Sequence, residues 1–231
     1  MPTIWIPRRV VTITSSRLAG MKRLLQALDK GIPETEWDAR EDLRKLASEH
    51  EWPAGEYFLE DQILDEEVGY WMRRLAWYSV AALLHSLVES QLFACGDSVR
   101  AARGEKLNSP IKRRTLDRAR KYLKSASGFD VLSDPKWPDL LRLEEIRSIV
   151  LHRGGTDGES DKKRIDRLAA AYPGKLVVAE QPDPYHHHIF ISKSFCGDFV
   201  EFIEGFFGRV FAALRFTQSD VAPSNASPPP T

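Results

Sequence analysis

Residues 66–103 read EEVGYWMRRLAWYSVAALLHSLVESQLFACGDSVRAAR, and their spacing sets the architecture. Met72, Leu75, Ala76, Val80, Leu83, Leu84, Leu87, Val88 and Leu92 recur at steps of three and four, which aligns them along an α-helix. A stripe this wide belongs to a helix at the centre of a core, not to one lying on its surface. Gly69 and Gly96 are the expected weak points, because glycine loses the most backbone freedom on entering a helix.

On the N-terminal side, residues 34–67 are strongly acidic, with a helix expected over 36–49 and a break at Pro53. Leu18, Met21, Leu24, Leu25 and Leu28 predict a helix over 17–30, capped by Ser15–Ser16 and stopped by Gly31 and Pro33. Residues 1–14 are rich in β-formers but contain Pro2 and Pro7, so a short extended N-terminal arm or an edge strand is expected there.

On the C-terminal side, a loop over 104–110 leads into a basic helix over 110–126. Across 100–124 the cations are Arg100, Arg103, Lys106, Lys112, Arg113, Arg114, Arg118, Arg120, Lys121 and Lys124, opposed only by Glu105 and Asp117. A helix over 138–153 is expected to bury Leu140, Leu141, Leu143, Ile146, Ile149 and Val150 and to end at Gly154–Gly155. Then come a polar turn (156–160), a short helix (161–171), two strands (175–179 and 187–192) forming a hairpin, and a Phe-rich helix (193–216). The expectation is an all-α (mainly α) helical bundle with a small β-hairpin, divided into an N-terminal extension (1–65), a main domain (66–216) and a disordered tail (217–231).

Composition narrows the function. The 231 residues carry a formal net charge of +0, so attraction to nucleic acid must come from a local patch. Two cysteines cannot staple a chain of this size, and with no signal-peptide pattern at the start a cytoplasmic location is expected. No apolar run approaches the roughly 20 residues of a membrane-spanning helix, so no membrane partner is expected. Walker, dinucleotide-binding and Ser-His-Asp patterns are all missing from the sequence. His186 and His188 would share one side of a strand as zinc ligands do, but no CxxC or HExxH accompanies them, and no metal or cofactor is expected.

The segment EEIRSIVLHRGG, residues 144–155, resembles the arginine, four to six residues, histidine signature of the HEPN superfamily (higher eukaryotes and prokaryotes nucleotide-binding domains). The order of parts over 66–216 resembles that family too. The resemblance implies a HEPN-like bundle and a metal-independent endoribonuclease, a toxin or antiviral effector acting as a homodimer whose two motifs meet in one cleft. It makes Arg147 and His152 the catalytic candidates, with Ser148 beside them and Glu89 as the polar residue of a partner helix. Ser148 stands where the family often has asparagine, aspartate or histidine.

These residue types suit the chemistry. Histidine titrates near neutrality and can move the protons of 2′-hydroxyl attack and 5′-oxygen departure. Arginine grips phosphate with two parallel hydrogen bonds and keeps its charge. Lys112, Arg113, Arg114, Arg118, Lys121 and Arg153 are the candidate RNA-binding cations. Five residues of helix turn about 140°, so Arg147 and His152 need either a helix end at His152 or a second chain to meet. The alternative is a non-catalytic HEPN-like module that binds RNA or a nucleotide, or only dimerises. An antitoxin or other regulatory partner is left unspecified by the residues.

Overall fold

The computed structural model describes residues 8–105, 115–153, 156–157, 162–180 and 187–214. In chain order they form α1 (Arg8–Glu49), α2 (Ala54–Leu64), a π-helical segment (Asp65–Met72), α3 (Arg73–Ala102) and α4 (Leu116–Ser127). A 3₁₀ turn (Val131–Ser133), α5 (Trp137–Arg153), β1 (Thr156–Asp157), α6 (Lys162–Ala171), β2 (Leu176–Glu180), β3 (His187–Ile191) and α7 (Lys193–Ala213) complete them. The protein is mainly α, as its periodicity predicts.

The N-terminal region departs most from expectation. No extended arm exists over residues 8–14: α1 begins at Arg8, one residue past Pro7, and residues 1–7 lie outside the described residues. Val10, Leu18, Met21, Leu25 and Ile32 are buried at helical steps, so the β-branched residues serve a helix face. Ser15 and Ser16 cap nothing, and Gly31 and Pro33 do not end the helix, which continues to Glu49. Pro33 has no N–H to give the carbonyl of Asp29, a defect that typically costs about 3 kcal/mol. Contacts on both sides offset it. Ile32 is 5% exposed, and Arg40 Nη1 donates to Asp61 Oδ1 at 2.5 Å while Nη2 pairs with Asp65.

The long central helix is present, but its first two turns, Asp65–Met72, are wound as π-helix. The basic helix begins at Leu116: Thr115 is extended (φ −146°, ψ 158°) and its hydroxyl accepts the Arg118 amide at 3.3 Å as an N-cap. Gly128, at φ 76°, closes α4 by donating its N–H to the Lys124 carbonyl at 2.8 Å. The polar turn after α5 contains β1, which pairs with β3 to give a three-stranded antiparallel sheet in the order β1-β3-β2 instead of a plain hairpin. The β2–β3 register pairs Leu176 with Ile191 and Val178 with Ile189. The tail from residue 215 lies outside the described residues.

The chain forms two compact units, each drawing on both sides of the expected division at residue 65. One falls within Met1–Ser16, Val88–Trp137 and Glu204–Thr231. Its core combines Val88, Leu92, Cys95 and Val99 of α3 with Leu116, Leu123 and Ala126 of α4 and Phe206, Phe207 and Val210 of α7. Asp134 is clasped by Arg209, whose Nε and Nη2 donate at 2.7 and 3.1 Å. The other unit covers Arg17–Leu87 and Pro138–Ile203. Trp77, Val80, Ala81 and Leu84 of α3, the inner face of α5, Ile165 and Leu168 of α6, and Phe195, Phe199 and Ile203 of α7 form its core. Each such side chain contributes about 1.5–3 kcal/mol on burial. The sheet lies wholly within this second unit and presents Leu176, Ile189 and Ile191 to its interior.

Candidate functional site

α5 carries the Arg–x4–His signature. Leu140, Leu143, Ile146, Ile149 and Val150 are buried along one side of it as expected, but Leu141, expected with them, is not, because it lies about 100° around the axis from Leu140. The opposite side holds Leu141 (42% exposed), Ser148 (part-buried) and His152 (exposed), which fall within about 40° of one another around the axis. Leu151, 52% exposed, stands next to His152. The C-terminal turns of α5 thus present exposed His152 and Leu151 and part-buried Ser148.

Arg147 sits between these faces and is part-buried. Its Nε is buried with no hydrogen-bond partner among the described residues. A guanidinium N–H left in this state is unusual, because buried donors are nearly always satisfied. Its acidic neighbours are directed elsewhere. Glu145 Oε1 accepts from Arg164 Nε at 2.5 Å and Arg167 Nη2 at 2.6 Å, which ties α5 to α6. Glu144 Oε1 lies 3.9 Å from His85 Nε2.

His85 is not among the site residues that the sequence nominates. It lies on α3 at 2% exposure and meets α5 at Glu144, three and four residues before Arg147 and Ser148. The contact is an ion pair only when the imidazole is protonated. The signal available was a histidine inside the apolar stripe of the central helix. Nothing in the sequence says which acid it faces.

α5 remains helical through His152 to Arg153. This is the bound expected from the sequence, one residue past His152, and within the helix Arg147 and His152 leave α5 about 140° apart. Ser148 and His152, four apart, do share a face. Glu89, 9% exposed on α3, belongs to the other compact unit.

The candidate RNA-binding cations divide three ways. Lys112, Arg113 and Arg114 lie outside the described residues, as does the side chain of Arg153. Arg118 is exposed on α4. Lys121 is exposed but pairs with Asp117 at 2.6 Å. Its neighbours are also engaged. Arg120 donates to Asp117 at 3.0 Å and reaches Asp130 at 3.3 Å, and Lys124 pairs with Asp130 at 2.8 Å. Hydrogen bonds from Lys121 and Arg120 hold the Asp117 carboxyl below the usual carboxylate range. Asp130 is a countercharge to this stretch that lies just beyond the basic run in sequence.

Among the described residues no three His, Cys, Asp or Glu side chains are grouped as a metal site. His186 and the side chain of His188 lie outside them. No described helix is long and apolar enough to cross a membrane.

Fold and site together define a mainly-α protein with a small antiparallel sheet and an Arg–x4–His helix exposed at its C-terminal end. No family model matches the chain, and neither does any curated protein or solved structure.

Proposed function

We propose that this protein is a HEPN-type, metal-independent endoribonuclease that acts as a homodimer. The observation that carries the reading is the state of Arg147: a guanidinium Nε buried without a partner among the described residues, five residues before an exposed histidine on the same helix. A phosphate oxygen is a natural acceptor for such a donor. His152 is open to substrate and is of the type that exchanges protons near neutral pH.

In this reading the ribose 2′-oxygen attacks phosphorus as its proton leaves to a base. The P–O5′ bond breaks, the 5′-oxygen takes up a proton, and the products are a 2′,3′-cyclic phosphate and a 5′-hydroxyl. His152 handles a proton, and Arg147 holds the non-bridging oxygens as charge builds on them. Their divergence around α5 is met in this reading by two chains, with Arg147 of one working beside His152 of its partner. The exposed Leu151 beside His152, and Leu141 about three turns earlier on the same side of α5, offer apolar area for that contact. Ser148, four residues before His152 on the same face of α5, would lie at the junction. A role as toxin or antiviral effector in the cytoplasm follows from the resemblance alone.

The test is a mixed RNA pool incubated in EDTA with the wild type, Arg147→Ala and His152→Ala, followed by analysis of the cleaved ends. Cleavage by the wild type alone, leaving cyclic phosphates, supports the assignment. Folded, dimeric wild type that cuts nothing moves the reading to a non-catalytic RNA- or nucleotide-binding module, which Ser148 favours. Equal cleavage by all three proteins overturns the site.

A further inference from the structure

A cleft of about 520 Å³ opens in the unit that holds the sheet, walled by α1, the π segment, the start of α3 and the end of β3. This volume is in the range of small-molecule sites. None of Arg147, Ser148 and His152 lines it.

Arg74, only 3% exposed, forms part of its wall. The guanidinium carbon lies 5.7, 4.9 and 5.1 Å from the ring centres of Tyr70, Trp71 and Tyr78, a three-sided aromatic cage. Nε donates to the Tyr78 hydroxyl at 2.8 Å, and that hydroxyl donates in turn to the Ile189 carbonyl of β3. Nη1 reaches the Tyr70 hydroxyl at 3.3 Å. Burial pushes the Tyr78 phenol up to about 12, so it remains a neutral donor across the working pH range. The arginine is therefore fixed in orientation, its charge intact.

The rest of the wall combines aromatic, aliphatic and charged side chains, Asp29 among them. Tyr70 and Phe190 meet edge to face at 5.2 Å, and Trp77 lies deeper, 7% exposed. At the rim Lys193 Nζ pairs with Asp29 at 2.6 Å, and half-exposed Arg73 reaches Glu36 at 3.1 Å. The backbone is irregular on both sides of the opening. Pro33 leaves the Asp29 carbonyl without its helical donor, and the π winding brings Gly69 and Tyr70 into the opposite wall. Insertions of π-helix are frequent at functional sites.

We propose that this cleft binds a small planar aromatic anion, its ring against Tyr70 and Phe190 and its carboxylate or phosphate beside Arg74 and Lys193. Both head groups suit the same cations. The aromatic walls exclude a bare inorganic anion as the preferred ligand, and the buried cation excludes a neutral ring. This assignment is independent of the ribonuclease reading.

Isothermal titration calorimetry on the full chain tests it with indole-3-acetate, indole-3-acetamide, acetate, adenosine 5′-monophosphate and inorganic phosphate. The expected result is single-site binding of indole-3-acetate or adenosine 5′-monophosphate, with the neutral amide, acetate and phosphate each weaker by about tenfold or more. Which of the two aromatic probes binds tells carboxylate from phosphate. Arg74→Met should abolish binding, although its burial puts the fold at risk. Gly69→Leu is the safer variant, because a Cβ there meets nothing closer than 3.9 Å, and the added side chain obstructs the cleft from a helical position. Gly69→Leu with unchanged helicity and lost binding supports the site, as does a roughly tenfold loss in Lys193→Ala. No binding of either aromatic anion at millimolar concentration overturns it. So does binding that Gly69→Leu leaves unaltered.

Discussion

A Cβ placed on Gly96 would lie 2.6 Å from Cδ1 of Tyr122, so α3 and α4 approach to a distance that only glycine permits. The ring cannot step aside easily. Its hydroxyl donates to Asp97 at 2.5 Å, Phe93 packs 5.5 Å from it, and the Arg100 guanidinium sits 5.0 Å from its centre. Alanine is the better helix former by about 1 kcal/mol, yet Gly96→Ala should destabilise the protein by about 1–3 kcal/mol through overpacking. Urea denaturation measures this. A variant as stable as the wild type would show that the contact is slack.

Acid should loosen the clasp between Asp134 and Arg209. Burial alone would raise the Asp134 carboxyl, but hydrogen bonds from Arg209 and the Lys136 amide hold it below its ordinary value. A carboxylate depressed in the folded state contributes its stability in full above the unfolded value of about 3.9. That contribution is lost as pH falls through the lower folded value. Asp134→Asn should therefore cost about 1–2 kcal/mol at pH 7 and much less near pH 3. Urea midpoints for both proteins at the two pH values check this, and a difference independent of pH would rule out the clasp as its source.

Both thiols should be silent in the native protein. Cys95 and Cys196 are fully buried, and burial pushes each up to about 12. A thiol reagent at pH 8 should find no reactive thiol until guanidinium is added, and then two. Rapid native modification of either would mean that its unit opens readily.

Mixing inactive chains tests where the ribonuclease site is assembled. If Arg147 of one chain serves His152 of its partner, Arg147→Ala and His152→Ala proteins refolded together should recover about a quarter of wild-type cleavage. Half of the dimers are then mixed, and each of these holds one intact site. If both residues act within one chain, mixing restores nothing.

The helices beyond residue 66 were legible because their apolar residues repeat at steps of three and four, and α3, α5 and α7 follow that pattern closely. The N-terminal helix was not. Gly31 and Pro33 are strong local stop signals, and they are overridden by contacts at Ile32 and Arg40 that join residues far apart in sequence. β1 was hidden because two polar residues carry no alternation, and only their pairing with His187 and His188 makes them a strand. The π winding of Asp65–Met72 has no composition that separates it from ordinary helix.

The candidate site divides along the same line. The Arg147–His152 signature and its helix can be read directly from the chain. The approach of His85 to Glu144 cannot, because it depends on how α3 lies against α5. The neutralisation of the α4 cations by Asp130 was missed since that aspartate follows the basic run instead of interrupting it.

The burial of Arg74 has a consequence for how the two proposed anion sites respond to their medium. Mobile ions gather around Arg118 and Lys121 and cut their reach to roughly 8 Å at physiological ionic strength. The Arg74 guanidinium, 3% exposed and flanked by Tyr70, Trp71 and Tyr78, is screened much less than an exposed charge. Raising sodium chloride should therefore strip a polyanion from the α4 surface while a small ligand in the cleft stays bound.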